Sequence, residues 1–276
     1  MILTTGGYEF DPESLRTNAQ SENYHALGNP GNTGDGLRMA QSMGARLWHM
    51  TAYSCPLGTE IPGCKAALQV AMMAPSFIWV DKNDDEFSPD GHTRCYVVNR
   101  FDPISHSYPS IPCWLIFDDK AFKRGLVVGG SSEYLINRES YKWSRDNSQE
   151  LANGVITKAE SLEELAKKIG VSADNLVAAV QKWNADIKAG KDTQFNRPIQ
   201  NPHKKVVHIE QKAGAAVSEP LDETGPYYAI KLYLTLLNTQ GGPKKNVNGQ
   251  VMDVNNNPIP RLYAAGELGS MWGNIY

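Results

Sequence analysis

Four short segments built around glycine constrain this chain more than any other feature. They are Leu3-Thr4-Thr5-Gly6-Gly7-Tyr8, Asn32-Thr33-Gly34-Asp35-Gly36, Asn238-Thr239-Gln240-Gly241-Gly242-Pro243 and Ile259-Pro260-Arg261-Leu262-Tyr263-Ala264-Ala265-Gly266-Glu267-Leu268-Gly269. Glycine lets a backbone approach another group closely and permits positive φ. In the first and last segments an apolar run leads straight into the glycines, as Ile2-Leu3 and Leu262-Tyr263-Ala264 do, which reads as a strand ending in a tight loop. In the second, the glycines precede Leu37, Ala40 and Met43 at helical spacing, so a helix opens near residue 36 and Gly44 ends it.

The stretch between the two pairs has a different character. Residues 46–52, 77–80 and 113–117 read as strands, and residues 11–27 as polar and irregular or weakly helical. Ser161-Leu162-Glu163-Glu164 fits a capping box, in which Ser161 accepts from the third helical amide while Glu164 reaches back. That helix runs to about residue 169 and stops at Gly170. Ser172 starts another, with Leu176, Val177, Val180, Trp183 and Ile187 along one face, and Gly190 ends it. Beyond residue 206 the chain turns strand-rich again, with strands expected at 227–232, 233–237, 249–253 and 262–267. The expected fold class is α/β plus α+β. Residues 1–50 and 220–276 form one discontinuous α/β domain, and residues 51–219 form an inserted α+β domain.

Charge and cysteine usage exclude several classes. The net charge of −3 draws the chain neither to nucleic acid nor to an acidic membrane surface. No run of about 18 apolar residues reads as a membrane span. Cys55, Cys64, Cys95 and Cys113 include no CxxC pair, which argues against a zinc or iron–sulfur site. They read as scattered reduced thiols of a cytoplasmic protein. His49, His92 and His106 are too dispersed to suggest a metal site. The opening on an apolar strand and the close in a glycine loop lead us to expect further sequence on both sides. Strand edges left unpaired there leave room for oligomerisation.

Taken together, in this order and at this spacing, the four segments resemble the FAD-dependent oxidoreductase family that includes fumarate reductase flavoproteins, urocanate reductase-like enzymes and 3-ketosteroid dehydrogenases. The similarity runs over nearly the whole chain. It implies a partial FAD-binding, Rossmann-like domain from residues 1–50 and 220–276, with residues 51–219 as a capping, substrate domain. It also implies that Thr5, Gly6, Gly7, Asp35, Gly36, Gly241, Gly242, Ala265, Gly266 and Glu267 lie along FAD. Asp35, opening a helix, is suited to cap free amides or accept from a ribityl hydroxyl, and Glu267 to accept from sugar hydroxyls. Gly241 and Gly242 would let a loop pass close to the flavin ring. A GxGxxG turn, the usual pyrophosphate cradle, is not found in the sequence. The family carries it ahead of the segment that matches Met1, and continues past Tyr276 with a further glycine-rich loop and helix.

The same resemblance names candidates for chemistry. Reducing a C=C bond with a flavin requires a proton donor on the opposite face of the substrate. Thr93-Arg94 matches the arginine that fills this role in fumarate reductases, with Phe87 in its expected place upstream. Glu86 stands where arginine is usual, Cys95 where an acid is common and Asn238 where a histidine is found, which disfavours dicarboxylate reduction. Tyr276 resembles the tyrosine that polarises the substrate carbonyl in ketosteroid dehydrogenases. The implied activity is hydride transfer between flavin and an activated C–C or C=C bond of a small-molecule substrate, steroid-like or an enone, with an electron-transfer partner. Three alternatives stay open: a folded fragment that acts only with a complementary FAD-binding chain, a fumarate reductase-like dicarboxylate reductase, and a non-flavin α+β binding protein.

Overall fold

The computed structural model describes residues 1–19, 24–72, 74–81, 100–128, 141–194 and 219–269. It is a mixed α/β chain with several sheets. The chain divides into two units, one made of Met1–Pro56, Lys65–Ala67 and the residues from Leu234 onward, the other of Leu57–Cys64 and Leu68–Tyr233.

The second unit is organised by Cys113–Asp118, six successive buried residues. A strand buried on both faces must be apolar throughout, and Cys113-Trp114-Leu115-Ile116-Phe117 meets that demand. Phe77–Val80 pairs antiparallel with one edge of it, Phe77 opposite Phe117 and Val80 opposite Trp114. Tyr227–Leu236 pairs antiparallel with the other, Tyr227 opposite Asp118. Ile156–Ala159 then pairs antiparallel with Tyr227–Leu236, Tyr227 opposite Ala159. Two expected strands, 227–232 and 233–237, are one strand of 10 residues. Nothing between Leu232 and Tyr233 interrupts the extended backbone, for neither glycine nor proline stands there. Leu162–Ile169 and Ala173–Ala189 cover the sheet through Leu165, Ala166, Leu176, Val180 and Trp183.

The helix ends follow the sequence closely. The Ser161 side chain accepts from the Glu164 amide at 3.2 Å. Glu164 reaches one residue further back than the usual box, its Oε2 accepting from the Glu160 amide at 2.8 Å. Gly170 closes the helix at φ +79, in the left-handed region where side chains are strained. Elsewhere the expectations need correction. Pro12–Asn18 is a clear helix because Pro12 sits in the first turn, where its missing N–H costs nothing. Residues 46–52 are not one strand: Leu47–Trp48 ends at His49, whose φ is +54, and Tyr53–Ser54 begins anew. Cys64 and Cys113 are free thiols, but Cys55 is held in a disulfide, against the expectation of reduced cysteines.

One buried amide fastens the loops of this unit. Asn147, fully buried at φ +61, accepts from the Val127 amide at 3.0 Å and from Trp143 Nε1 at 2.9 Å. Its amide nitrogen donates to the Phe122 and Gly125 carbonyls at 3.1 and 2.7 Å. All four of its hydrogen-bonding positions are therefore used. Asn147→Gly tolerates the backbone angle but strands these buried partners. It should lower stability by about 3 kcal/mol or more, seen as a lower urea midpoint at unchanged slope.

In the first unit, Ile2–Leu3 pairs parallel with Pro258–Ala264, Leu3 opposite Ala264, and Gln250–Met252 pairs antiparallel with the far side of that strand. Tyr24–Ala26 runs parallel to Leu234–Leu236, the end of the strand that carries the chain back from the second unit. Leu3, Tyr8, Leu37, Ala40, Val251, Leu262, Ala264 and Leu268 form the core. The helix Asp35–Ser42 buries Gly36, Leu37 and Ala40 against it.

Candidate functional site

The four glycine segments meet inside the first unit, joined by hydrogen bonds from backbone amides to backbone carbonyls or to the Thr239 hydroxyl. The Tyr8 amide donates to Thr239 Oγ1 at 3.0 Å, the Gly34 amide to the Gly7 carbonyl at 3.3 Å, and the Ala265 amide to the Leu3 carbonyl at 3.0 Å. Gly242 pairs with Trp48 in a short antiparallel bridge.

Their glycines are needed first by the chain's own packing. A methyl group on Gly36 would stand 2.0 Å from Thr5 Oγ1 and 2.9 Å from Leu268 Cδ2. One on Gly6 would meet Asn32 Oδ1 at 2.3 Å, and one on Gly7 would meet Thr239 Oγ1 at 2.3 Å. A methyl group on Gly241 would stand 2.6 Å from Met50 Cα, and one on Gly242 2.4 Å from the Gly269 amide nitrogen. Gly266 differs from all of these: its φ is +70 and a methyl group there would meet nothing within 4 Å. Ala265 and Gly266 are exposed where the strand Pro258–Ala264 ends. Thr5 is exposed at the end of the neighbouring strand. Asp35 is exposed too, but its carboxylate is engaged by Arg38 at 2.6 Å and Thr33 at 3.2 Å, and Gly34 rather than Asp35 occupies the helix cap.

Glu267 turns inward, toward a residue that the sequence reading passed over. Glu9 is 1% exposed, and one of its oxygens, Oε1, accepts from Asn32 Nδ2 at 2.6 Å. The same nitrogen reaches Glu267 Oε2 at 3.5 Å. Glu9 Oε2, Glu267 Oε1, Asn238 Oδ1 and Trp48 Nε1 are buried without a hydrogen-bond partner. Buried polar atoms are nearly always paired, so the unpaired oxygens of Glu9 and Glu267, which both face Gly7, mark a place where another molecule supplies the partners. Three of the four are acceptors, which suits a ligand that donates, such as one bearing several hydroxyl groups.

Burial, opposed in part by the Asn32 hydrogen bond, pushes the Glu9 carboxyl up to about 7. Burial and then the charge of Glu9 push Glu267 up to about 7 as well, with Asn238 opposing. Tyr8 is raised by burial and by Glu9, and its hydroxyl donates to the Met50 carbonyl at 2.8 Å. Glu9 follows directly on the strand–glycine step and Tyr8, and an acid at that point, next to a buried aromatic, was the signal available in the sequence. Arg94 and Tyr276 lie outside the described residues. Among the described residues no group of three or more His, Cys, Asp or Glu side chains could hold a metal ion, and no helix is long and apolar enough to cross a membrane.

Two expected outcomes follow from this geometry. Gly242→Ala drives a methyl group into backbone and should destabilise by about 3 kcal/mol, whereas Gly266→Ala carries only the left-handed backbone cost of about 1 kcal/mol; paired urea titrations separate them. The acid pair sets a pH dependence. Because the folded carboxyls hold protons that the unfolded chain gives up above pH ~4.3, stability should fall as pH rises from there to about 7. Glu9→Gln should flatten that profile by up to about 3 kcal/mol, measured as Tm against pH.

The chain matches the family model described as "FAD binding domain" over residues 1–276. It is 28% identical, over 96% of its length and 45% of the relative, to 4-oxocyclohexanecarboxylate 2-dehydrogenase of Sinomonas cyclohexanicum. It is also 28% identical to 3-oxosteroid 1-dehydrogenase of Mycobacterium tuberculosis, over 100% of its length and 48% of that protein. The fold is that of 3-ketosteroid delta1-dehydrogenase from Sterolibacterium denitrificans, with a TM-score of 0.73, 23% identity, and coverage of 98% of this chain and 47% of that one. The chain thus spans about half the length of the curated relatives it matches. With every residue covered by the family model, and with the glycine segments joined around unpaired acceptors, this chain belongs to the FAD binding domain family.

Proposed function

We propose that the protein is an FAD-dependent oxidoreductase that moves hydride between flavin and an activated C–C or C=C bond of a small ring ketone, steroid-like or an enone. The observation that carries this reading is the set of buried acceptors Glu9 Oε2, Glu267 Oε1 and Asn238 Oδ1 within the converged glycine segments. They fit the hydroxyl-bearing part of FAD, whose ribityl chain and ribose donate hydrogen bonds. They do not fit its phosphates, which carboxylates repel. The 4-oxocyclohexanecarboxylate and 3-oxosteroid dehydrogenases support the substrate class, since both names join an oxo group to dehydrogenation of the same compound.

Bound FAD supplies the hydride chemistry. In this reading Glu267 and Glu9 accept from its hydroxyl groups. The exposed backbone at Ala265 and Gly266 and the exposed Thr5 flank it from adjacent strand ends. Gly6, Gly7, Gly36, Gly241 and Gly242 keep the supporting segments close enough to hold that surface. Asp35, fixed by Arg38, orders the opening of its helix. By resemblance, Arg94 serves as proton donor or acceptor at the substrate and Tyr276 polarises its carbonyl. An electron-transfer partner completes the cycle.

The test is to load the purified protein with FAD, remove the free cofactor and record the flavin spectrum before and after anaerobic addition of a saturated 3-oxo ring ketone. Retained flavin that bleaches with the ketone is the expected result. Tyr276→Phe and Arg94→Ala should keep the flavin but slow bleaching by a factor of at least about 100, as loss of a positioned acid or base does. Retained flavin that no ring ketone reduces, and whose reduced form no enone reoxidises, would sink the substrate class.

A further inference from the structure

We propose that Glu9 belongs to the cofactor site as a positioning residue for Glu267, the two carboxyls, both facing the Asn32 amide nitrogen, acting as one coupled pair that holds a single proton and releases it to solvent when the hydroxyl groups of FAD donate into the pair. This rests on the FAD reading above.

The geometry is specific. The Glu9 carboxyl is slotted between two glycines: its Oε1 is 2.5 Å from where a methyl group on Gly28 would stand, and its Oε2 is 2.6 Å from the same point on Gly7. No other residue type fits at either place without displacing it. Glu267 Oε1 stands 3.4 Å from that same point on Gly7, so two unpaired oxygens face one spot from two different segments. Asn32, 8% exposed, turns one amide nitrogen to both carboxyls, at 2.6 and 3.5 Å.

Two facing carboxylates cannot both ionise cheaply in a buried place unless a cation stands with them. Among the described residues no cation acts on either carboxyl. Tyr8, beside Glu9, spends its hydroxyl on the Met50 carbonyl. Arg38, on the helix Asp35–Ser42, pairs with Asp11 and Asp35. The segment at Asn238-Thr239 and the loop at Asn32 contribute only neutral groups. Asn32, Asn238 and the amides of Gly7, Glu9 and Thr239 already donate toward the carboxyls, but burial outweighs these neutral donors, and the pair keeps a proton until further donors arrive. A hydroxyl donor favours the ionised acceptor, so it drives that proton off.

The first arm needs no cofactor. Carboxyl carbon-13 resonances of labelled glutamate are followed against pH in wild type, Glu9→Gln and Glu267→Gln, with near-ultraviolet circular dichroism as a check on folding. Glu9→Gln should move the Glu267 midpoint down by about one pH unit or more, a shift that a merely structural role would not give. If that variant does not fold, Glu267→Gln should move Glu9 in the same direction. Unmoved midpoints would overturn the pair. The second arm is calorimetric titration with FAD near pH 7 in two buffers of unequal ionisation heat. Wild type should release a substantial fraction of one proton per FAD, and Glu9→Gln should release much less. Binding heats that do not depend on the buffer in wild type would overturn the link to the cofactor. Failure of the wild type to bind FAD at any pH would overturn that link together with the cofactor reading, while the first arm still decides the pair.

Discussion

Close approach between backbone segments is the constraint on which the first unit depends. Strands that end in glycine come within contact distance of one another because no side chain holds them apart. Where Gly36 meets Thr5 and Gly242 meets Gly269, even a methyl group is too large. This crowding brings acids from opposite ends of the chain, Glu9 and Glu267, into one buried place. The chemistry of the site is thus a product of packing. One oxygen of each carboxyl stays unsatisfied because the segments carrying them have been pressed together without leaving every oxygen a donor.

The second unit obeys a different logic. Its sheet is apolar and its helices are capped by their own side chains. Among the described residues its buried polar side chains have partners: Asn147 has four, and Asp118 is held by Ser76 at 2.8 Å and by the Ala121 and Asp222 amides at 2.8 and 2.9 Å. Satisfied polar groups specify structure, whereas unsatisfied ones invite a ligand. That contrast, more than the position of any motif, separates the architectural residues from those suited to binding.

Much of this was legible beforehand, and the reasons differ by element. The helices after Ser161 and Ser172 were readable because their caps and apolar faces are local signals. The strands at 77–80 and 113–117 were readable as unbroken apolar runs. The sheet partners were not, since pairing Leu3 with Ala264 is a choice made in three dimensions. At the site, the glycine segments were visible but their physical reason was not: most of them are small for the sake of neighbouring chain, and Gly266 alone among those singled out opens outward. Glu9 was missed because a lone acid after Tyr8 looks like any surface residue until Gly7 and Gly28 are seen to enclose it. Asp35 was visible, but its engagement by Arg38 depends on a rotamer that spacing does not reveal.

The parallel pairing of Ile2–Leu3 with Pro258–Ala264 has a consequence for how the molecule is made. On a ribosome, Ile2–Leu3 must wait for a partner some 260 residues downstream, which at about 5–20 residues per second is roughly 10 to 50 s. The second unit lies almost wholly between the two and has its own core by then. Ile2–Leu3 is therefore ordered late relative to the residues that follow it. During that interval an apolar strand end and its glycines stand open to chaperones, and the core of the first unit closes only when Pro258–Ala264 arrives.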